Sequence, residues 1–272
     1  MNRRRLPWPL VAGVTIAFVL LHLPVLVLVA FSFNASRYSL AWTGFTLDWY
    51  RVLAERPAIL QGVRASLVIG LVTTLVSTFL GTLLALGIHR LGKGAFRRNV
   101  EAALYLPVVT PEIVAGISIL ALFAALRIPL GLTTVIVAHI TFCLPFVTIV
   151  VLARAAGMDR SLEEAAMMLG APPATTFWRV TVPQLLPGIV AGALLAFTLS
   201  FDDFLITFFT AGPGSTTLPL VVYGMVRKAV EPTINAVSTI VLVVTTAALL
   251  VAEWMRKDQA LPLSRQGEGA GG

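Results

Sequence analysis

The chain has 272 residues, of which 57% are hydrophobic and only 12% charged, about half the roughly 25% of soluble domains. With a mean hydropathy of +0.90, this composition excludes a water-soluble globular protein and points to an integral membrane protein. The 20 Lys and Arg exceed the 13 Asp and Glu, but they sit in short patches between apolar runs and read as membrane topology, not as nucleic-acid binding. Cys143 is the single cysteine, so neither an intrachain disulfide nor a cysteine-based metal cluster is available.

Six apolar runs reach the ~20 residues that a helix needs to cross a bilayer core. They cover about 9–31, 63–88, 103–126, 133–153, 186–209 and 235–255. The runs are continuously apolar, whereas barrel strands alternate, so an all-α integral membrane protein with six transmembrane helices is expected. Most Lys and Arg, including Arg3, Arg4, Arg5, Lys93, Arg160 and Arg265, fall on the side that carries both termini. The positive-inside rule then makes both termini cytoplasmic in a bacterial-type plasma membrane. The first run follows three arginines but exceeds a signal-peptide core in length, and an uncleaved first helix is expected. Residues 1–257 read as one transmembrane domain and 258–272, polar and Gly-rich, as a disordered tail.

Three connections have content of their own. Residues 32–62 carry Tyr38, Trp42, Trp49 and Tyr50, side chains suited to an outer membrane interface. Residues 210–234 form an outer loop with Gly212-Pro213-Gly214. The longest inner loop, 154–185, contains Ser161-Leu-Glu163-Glu164-Ala165-Ala166-Met-Met-Leu-Gly170-Ala-Pro172-Pro173. The S-x-x-E spacing of Ser161 and Glu164 predicts a capping box, Gly170 a left-handed terminus, and the two prolines a stop after about two turns. So short a helix is a poor catalyst and a good handle for another protein. No internal repeat is visible, which weakens the case for a two-half secondary transporter.

At these residues the chain resembles the permease subunits of binding-protein-dependent ABC importers. Their hallmark is E-A-A, three residues, G, nine residues, then I-x-L-P; here it reads Glu164-Ala165-Ala166, Gly170, then Val180-Thr181-Val182-Pro183. The two valines keep the apolar character. Ser32-Phe33-Asn34, Gly44-Phe45-Thr46 with Trp49-Tyr50, His139 to Phe146, Ser200-Phe-Asp202-Asp203 and Leu218-Pro219-Leu220 extend the likeness to the spermidine/putrescine type, PotC-like. The resemblance implies a type I importer permease fold in which Ser161, Glu163, Glu164, Ala165, Ala166, Gly170 and Pro183 form a coupling helix and its surroundings against an ATPase. It also implies a second related permease subunit, two ATPase subunits that hold ATP and Mg, and an extracytoplasmic substrate-binding protein. This chain would bind no cofactor or metal and catalyse nothing.

Ionisable groups inside spans are functional candidates whatever the family, because an unpaired charge in hydrocarbon is costly. Glu112 lies 11 residues past Glu101, about 16 Å into the third span if that span is one straight helix. Asp202 and Asp203 fall in the outer half of the fifth span, and no Lys or Arg lies at similar depth. Protonated polyamine amines would satisfy these acids, with Trp49 and Tyr50 adding cation–π attraction. The expected substrate path is Asp202 first, supported by Ser200 and Glu112, with Asp203 nearly as good a choice. The alternatives are that Asp203 bonds to a partner permease or a helix terminus, that Glu112 bonds to backbone freed by Pro107 and Pro111, and that Trp49 is an interfacial anchor.

Other signals carry less. Gly87-Ile-His-Arg-Leu-Gly92-Lys93-Gly94 approaches a phosphate loop but ends in glycine where Ser or Thr is required. Asn34-Ala35-Ser36 is a glycosylation sequon by pattern alone. Gly188 and Gly192 allow close helix approach, against a sister helix or a partner permease. Two rival functions stand beside polyamine import: the same machine with an aminophosphonate, thiamine or ferric iron as cargo, and a proton-coupled carrier using Glu112 and Asp202.

Overall fold

A computed structural model describes residues 8–37, 41–92, 94–159, 161–228 and 231–258. Arg3, Arg4, Arg5, Tyr38, Lys93, Arg160, Arg265 and residues 259–272 of the expected tail lie outside them. The described residues form helices joined by turns and loops, and among them the β-type pairing is one isolated bridge between Asn34 and Phe45. The elements are α1 (Trp8–Phe31), α2 (Asp48–Ala54), α3 (Pro57–Arg90), α4 (Ala95–Val109), α5 (Glu112–Ala125), α6 (Leu132–Ala156), α7 (Ser161–Met168), α8 (Pro173–Thr176), α9 (Val182–Asp202), α10 (Leu205–Thr210), α11 (Leu218–Lys228) and α12 (Pro232–Asp258).

Among the described residues, four helical stretches are long and apolar enough to cross a membrane: α1, α3, α6 and the continuous run Pro173–Asp202. The third expected span is corrected. Its apolar run 103–126 is broken at Thr110-Pro111, and α4 and α5 meet at 102°. Pro111 has no N–H and pushes Thr110 out of the helical region, to ψ 131°, so the hydropathy is continuous while the helix is not. Glu112 therefore opens a new helix, and its depth does not follow from counting along a straight one. The fifth expected span is also corrected, because α9 ends at Asp202 and a separate helix starts at Leu205. α2 and α11 are further helices within connections.

The chain divides into two compact units, residues up to 57 with those from 222 onward, and residues 58–221. In the first, α1 and α2 pack on α12. The loop before α2 is organised by Asn34, fully buried, whose side chain donates to Ala41 O at 2.7 Å and accepts from Thr43 N at 2.9 Å. An asparagine engaged at both ends in this way is not a free sequon.

In the second unit the main packing is α6 on α9. Ala85 and Leu86 of α3, Cys143, Val147, Val151 and Ala155 of α6, and Leu185 and Ala196 of α9 form its apolar core. Glycines set the approach. A Cβ on Gly188 would lie 2.6 Å from Arg154 Cβ, and one on Gly192 would lie 3.1 Å from Val147 Cγ1. The open choice for this glycine pair is thus decided: it packs against a sister helix, α6. A π-helical turn, Phe177–Thr181, joins α8 to α9. It falls just before Pro183, whose ring would otherwise meet the Arg179 carbonyl, and a widened turn relieves that clash.

Candidate functional site

Two places in the second unit gather polar side chains. The first is the break between α9 and α10. Leu205–Thr210 is a new helix whose first N–H groups need acceptors. Asp203 supplies them: one carboxylate oxygen accepts from Ile206 N at 3.2 Å, and the other from Thr207 N and Thr207 Oγ1, each at 2.8 Å. This is the helix-terminus role held open above for Asp203. His139 of α6 approaches the same oxygen with Nε2 at 3.1 Å and bonds Ser200 Oγ through Nδ1 at 2.7 Å. Because a carboxylate only accepts, Nε2 carries a proton, and Nδ1 either accepts from or donates to the Ser200 hydroxyl according to the charge of the ring. The His139 and Asp203 side chains are 1% and 2% exposed, so this polar group is closed within the chain.

Asp202 points elsewhere. With Glu112, Phe142, Thr198, Leu199, Asp203, Phe204 and Leu205 it lines a cavity of about 390 Å³. Asp202 is exposed and Glu112 half-buried. Thr198 sits four residues before Asp202 on α9 and so shares its face. Of the expected path residues, Asp202, Asp203 and Glu112 line this cavity, Asp203 with its oxygens already bonded within the chain. Ser200, 3% exposed, is taken up by His139. Trp49 and Tyr50 belong to the other compact unit, where they hold the loop before α2: the indole donates to Asn34 O at 2.8 Å and the phenol lies 2.7 Å from Ser32 Oγ. The aromatic faces at the acidic cavity are Phe142 and Phe204, which sequence reasoning missed. Phe142, three residues beyond His139 on α6, becomes recognisable only when α6 is known to face the α9 break.

The second place is α7. Its C-terminus is as the punctuation predicts: Gly170 takes φ +84°, its N–H reaches Met167 O at 2.9 Å, and Ala171 N reaches Ala166 O at 3.1 Å, the paired bonds that close a helix on a left-handed glycine. Its N-terminus is corrected. The Ser161 amide donates to Asp159 Oδ1 at 2.9 Å, not to Glu164, and no reciprocal box is needed. Ser161, through its hydroxyl and then its amide, holds the Asp159 carboxyl below its usual range. Thr181 Oγ1 donates to Glu163, tying α7 to the end of the π-helical turn. Glu164 and Ala165 stay exposed and Ala166 half-buried. Met168 and Leu169 are each 89% exposed, an unusual cost for a solvated turn unless something covers it. Pro183 is exposed in the first turn of α9. A cavity of about 260 Å³ behind the helix is lined by Leu86, His89, Arg90, Met158, Glu163, Glu164, Met167 and Thr181.

Among the described residues no three His, Cys, Asp or Glu side chains are grouped to hold a metal. In the first unit, the hydrogen bond from Arg56 to Glu231, 2.7 Å long, holds the Glu231 carboxyl below the ordinary carboxylate range.

Comparison with known proteins agrees with this architecture. The putrescine transport system permease protein PotI of Escherichia coli K12 is 39% identical over 244 residues, covering 88% of this chain and 86% of the relative. The spermidine/putrescine transport system permease protein PotC of the same organism is 36% identical over 247 residues, covering 90% of this chain and 92% of the relative. Among solved structures, a bacterial alginate ABC transporter in complex with an alginate pentasaccharide-bound periplasmic protein has a chain that matches with a TM-score of 0.69. At 18% identity, over 91% of this chain and 93% of that one, this match establishes the shared fold. The relatives are transport permeases, and this chain is a transport subunit rather than an enzyme. Residues 77–257 match the model of the binding-protein-dependent transport system inner membrane component, and with these relatives the chain belongs to that family.

Proposed function

We propose that the chain is the permease subunit of an ATP-driven polyamine importer. The observation that carries the cargo assignment is the cavity in which Asp202 and Glu112 meet beside Phe142 and Phe204. The names of the two relatives, a putrescine permease and a spermidine/putrescine permease, point the same way. A polyamine presents ammonium groups separated by short alkyl segments. Carboxylates answer the first and aromatic and aliphatic walls the second, with each ring contact contributing ~0.5–2 kcal/mol. Such a cavity repels anions and gives a neutral sugar little beyond hydrogen bonds.

In this reading α7 is the coupling helix. Its exposed Met168 and Leu169 enter a groove on an ATPase subunit, and Glu164 is available to a basic partner at the rim. A second related permease completes the path, two ATPases that hold ATP and Mg dock at α7 and its counterpart, and an extracytoplasmic binding protein delivers cargo. In this reading both termini lie on the cytoplasmic face, which the distribution of Lys and Arg supports. ATP binding in the partners displaces α7. The Thr181–Glu163 bond and the π-helical turn carry that displacement to the foot of α9, whose far end bears Asp202. The cavity is thereby exposed alternately to the two sides.

ATPase activity of the assembled complex with its binding protein tests the proposal. Stimulation by spermidine or putrescine and not by thiamine or an aminophosphonate is the expected result. Stimulation by one of those solutes alone overturns the cargo, and failure to assemble with an ATPase overturns the machine.

A further inference from the structure

The α9–α10 break contains two adjacent aspartates with opposite fates, and one side chain separates them. Both border the cavity, but Asp202 ends α9 with an exposed side chain, whereas the Asp203 side chain is 2% exposed and its oxygens are occupied by Ile206 N, Thr207 N, Thr207 Oγ1 and His139 Nε2. His139 is also bonded to both sides of the break. Its Nδ1 holds Ser200 at the end of α9, 2.7 Å away, and its Nε2 lies 3.0 Å from Thr207 Oγ1 in α10. The ring is 1% exposed and anchored in α6, the helix on which α9 packs most extensively. A buried group bonded across a discontinuity fixes the relative rotation of the two pieces, and every bond lost here leaves a buried polar atom unpaired.

We propose that His139 is a specificity-determining positioning residue: it fixes the break so that Asp203 is withheld and the cavity offers cargo two carboxylates, Asp202 and Glu112, which favours a diamine over a triamine. The inference rests on the polyamine reading of the cavity and deepens it. Two ammonium groups match two carboxylates, whereas a third ammonium must lose its hydration without a carboxylate partner, at a cost that grows in a low-dielectric site. Release of Asp203 adds the third carboxylate and removes that disadvantage. His139 touches no cargo and acts only through Ser200, Asp203 and Thr207.

The test uses the complete complex in proteoliposomes, with its binding protein saturated by labelled putrescine or spermidine, and reads the ratio of the two uptake rates relative to the parent chain. His139→Leu removes both bonds of the ring. Thr207→Val removes one hydroxyl from the same cluster at nearly constant shape. His139→Gln keeps one donor and one acceptor. The expected result is a several-fold rise in the spermidine to putrescine ratio for His139→Leu, a smaller rise for Thr207→Val, and return toward the parent ratio for His139→Gln. A merely structural role lowers both uptakes together and leaves the ratio where it was. An unchanged ratio in His139→Leu, or in Thr207→Val if the leucine variant does not assemble, overturns the inference. Asp202→Asn is the separate control on the cavity: if it leaves uptake of both amines intact, the cargo reading itself has failed, whatever His139 does.

Discussion

The α9–α10 break and the α7 helix are both short interruptions of a long apolar chain, yet they treat polar and apolar groups in opposite ways. At the break, Asp203, His139, Ser200 and Thr207 are buried and bonded to one another. At α7, Glu164 stays exposed while Met168 and Leu169 are left 89% uncovered. A closed polar cluster is an internal fastening, because its partners are all in the chain. Among the described residues nothing covers the turn at Met168 and Leu169, and in the proposed function an ATPase subunit does. Substitutions at the break are therefore expected to act on folding as well as transport, and those on α7 on transport alone.

The widest contrast comes from Asp203→Ala against Glu164→Ala. The first strands the Thr207 and Ile206 donors and His139, at about 3 kcal/mol, and is expected to lower the thermal unfolding midpoint of the purified protein sharply. Glu164→Ala is expected to change stability by less than about 0.5 kcal/mol while ATP-dependent uptake is lost. Equal midpoints for the two variants would erase the distinction between fastening and handle.

Gly188→Val probes the packing that carries α9. Its side chain enters space held by Arg154 Cβ and is expected to cost about 2 kcal/mol, read as an unfolding midpoint below that of the parent. Gly170→Ala is milder. Alanine in a φ of +84° costs about 1 kcal/mol, confined to the end of α7, so uptake is expected to fall further than global stability. The smallest effect belongs to Arg56 and Glu231. A carboxyl held below its unfolded value stabilises above that value and loses the contribution as pH falls through the folded one. Removing the pair with Arg56→Gln is thus expected to cost about 0.5 kcal/mol at neutral pH, as for a screened surface pair, and nothing in strong acid.

What the residues disclose by themselves follows the range of the interaction. The end of α7 is written locally, since Gly170 is the left-handed residue and Pro172 lies just beyond it. The Thr110-Pro111 corner is legible in the proline but hidden by an apolar run that continues across it. The α9–α10 break has neither proline nor glycine to announce it. It depends on Asp203 capping α10 and on His139, 64 residues earlier in the chain, for which spacing gives no cue. The family resemblance of Glu164-Ala165-Ala166 and Gly170 identifies the machine. It says nothing of why Asp202 and Asp203 differ, because that difference arises only when α6 is packed against α9.

Putrescine uptake driven by ATP is the most direct test of the account. In proteoliposomes carrying the complete complex, the parent chain is expected to accumulate labelled putrescine only with ATP inside and loaded binding protein outside. Asp202→Asn should abolish that accumulation while its ATPase subunits stay bound. Accumulation without ATP, or undiminished accumulation by Asp202→Asn, would contradict the central claim that this chain lines an ATP-driven path for a cationic amine.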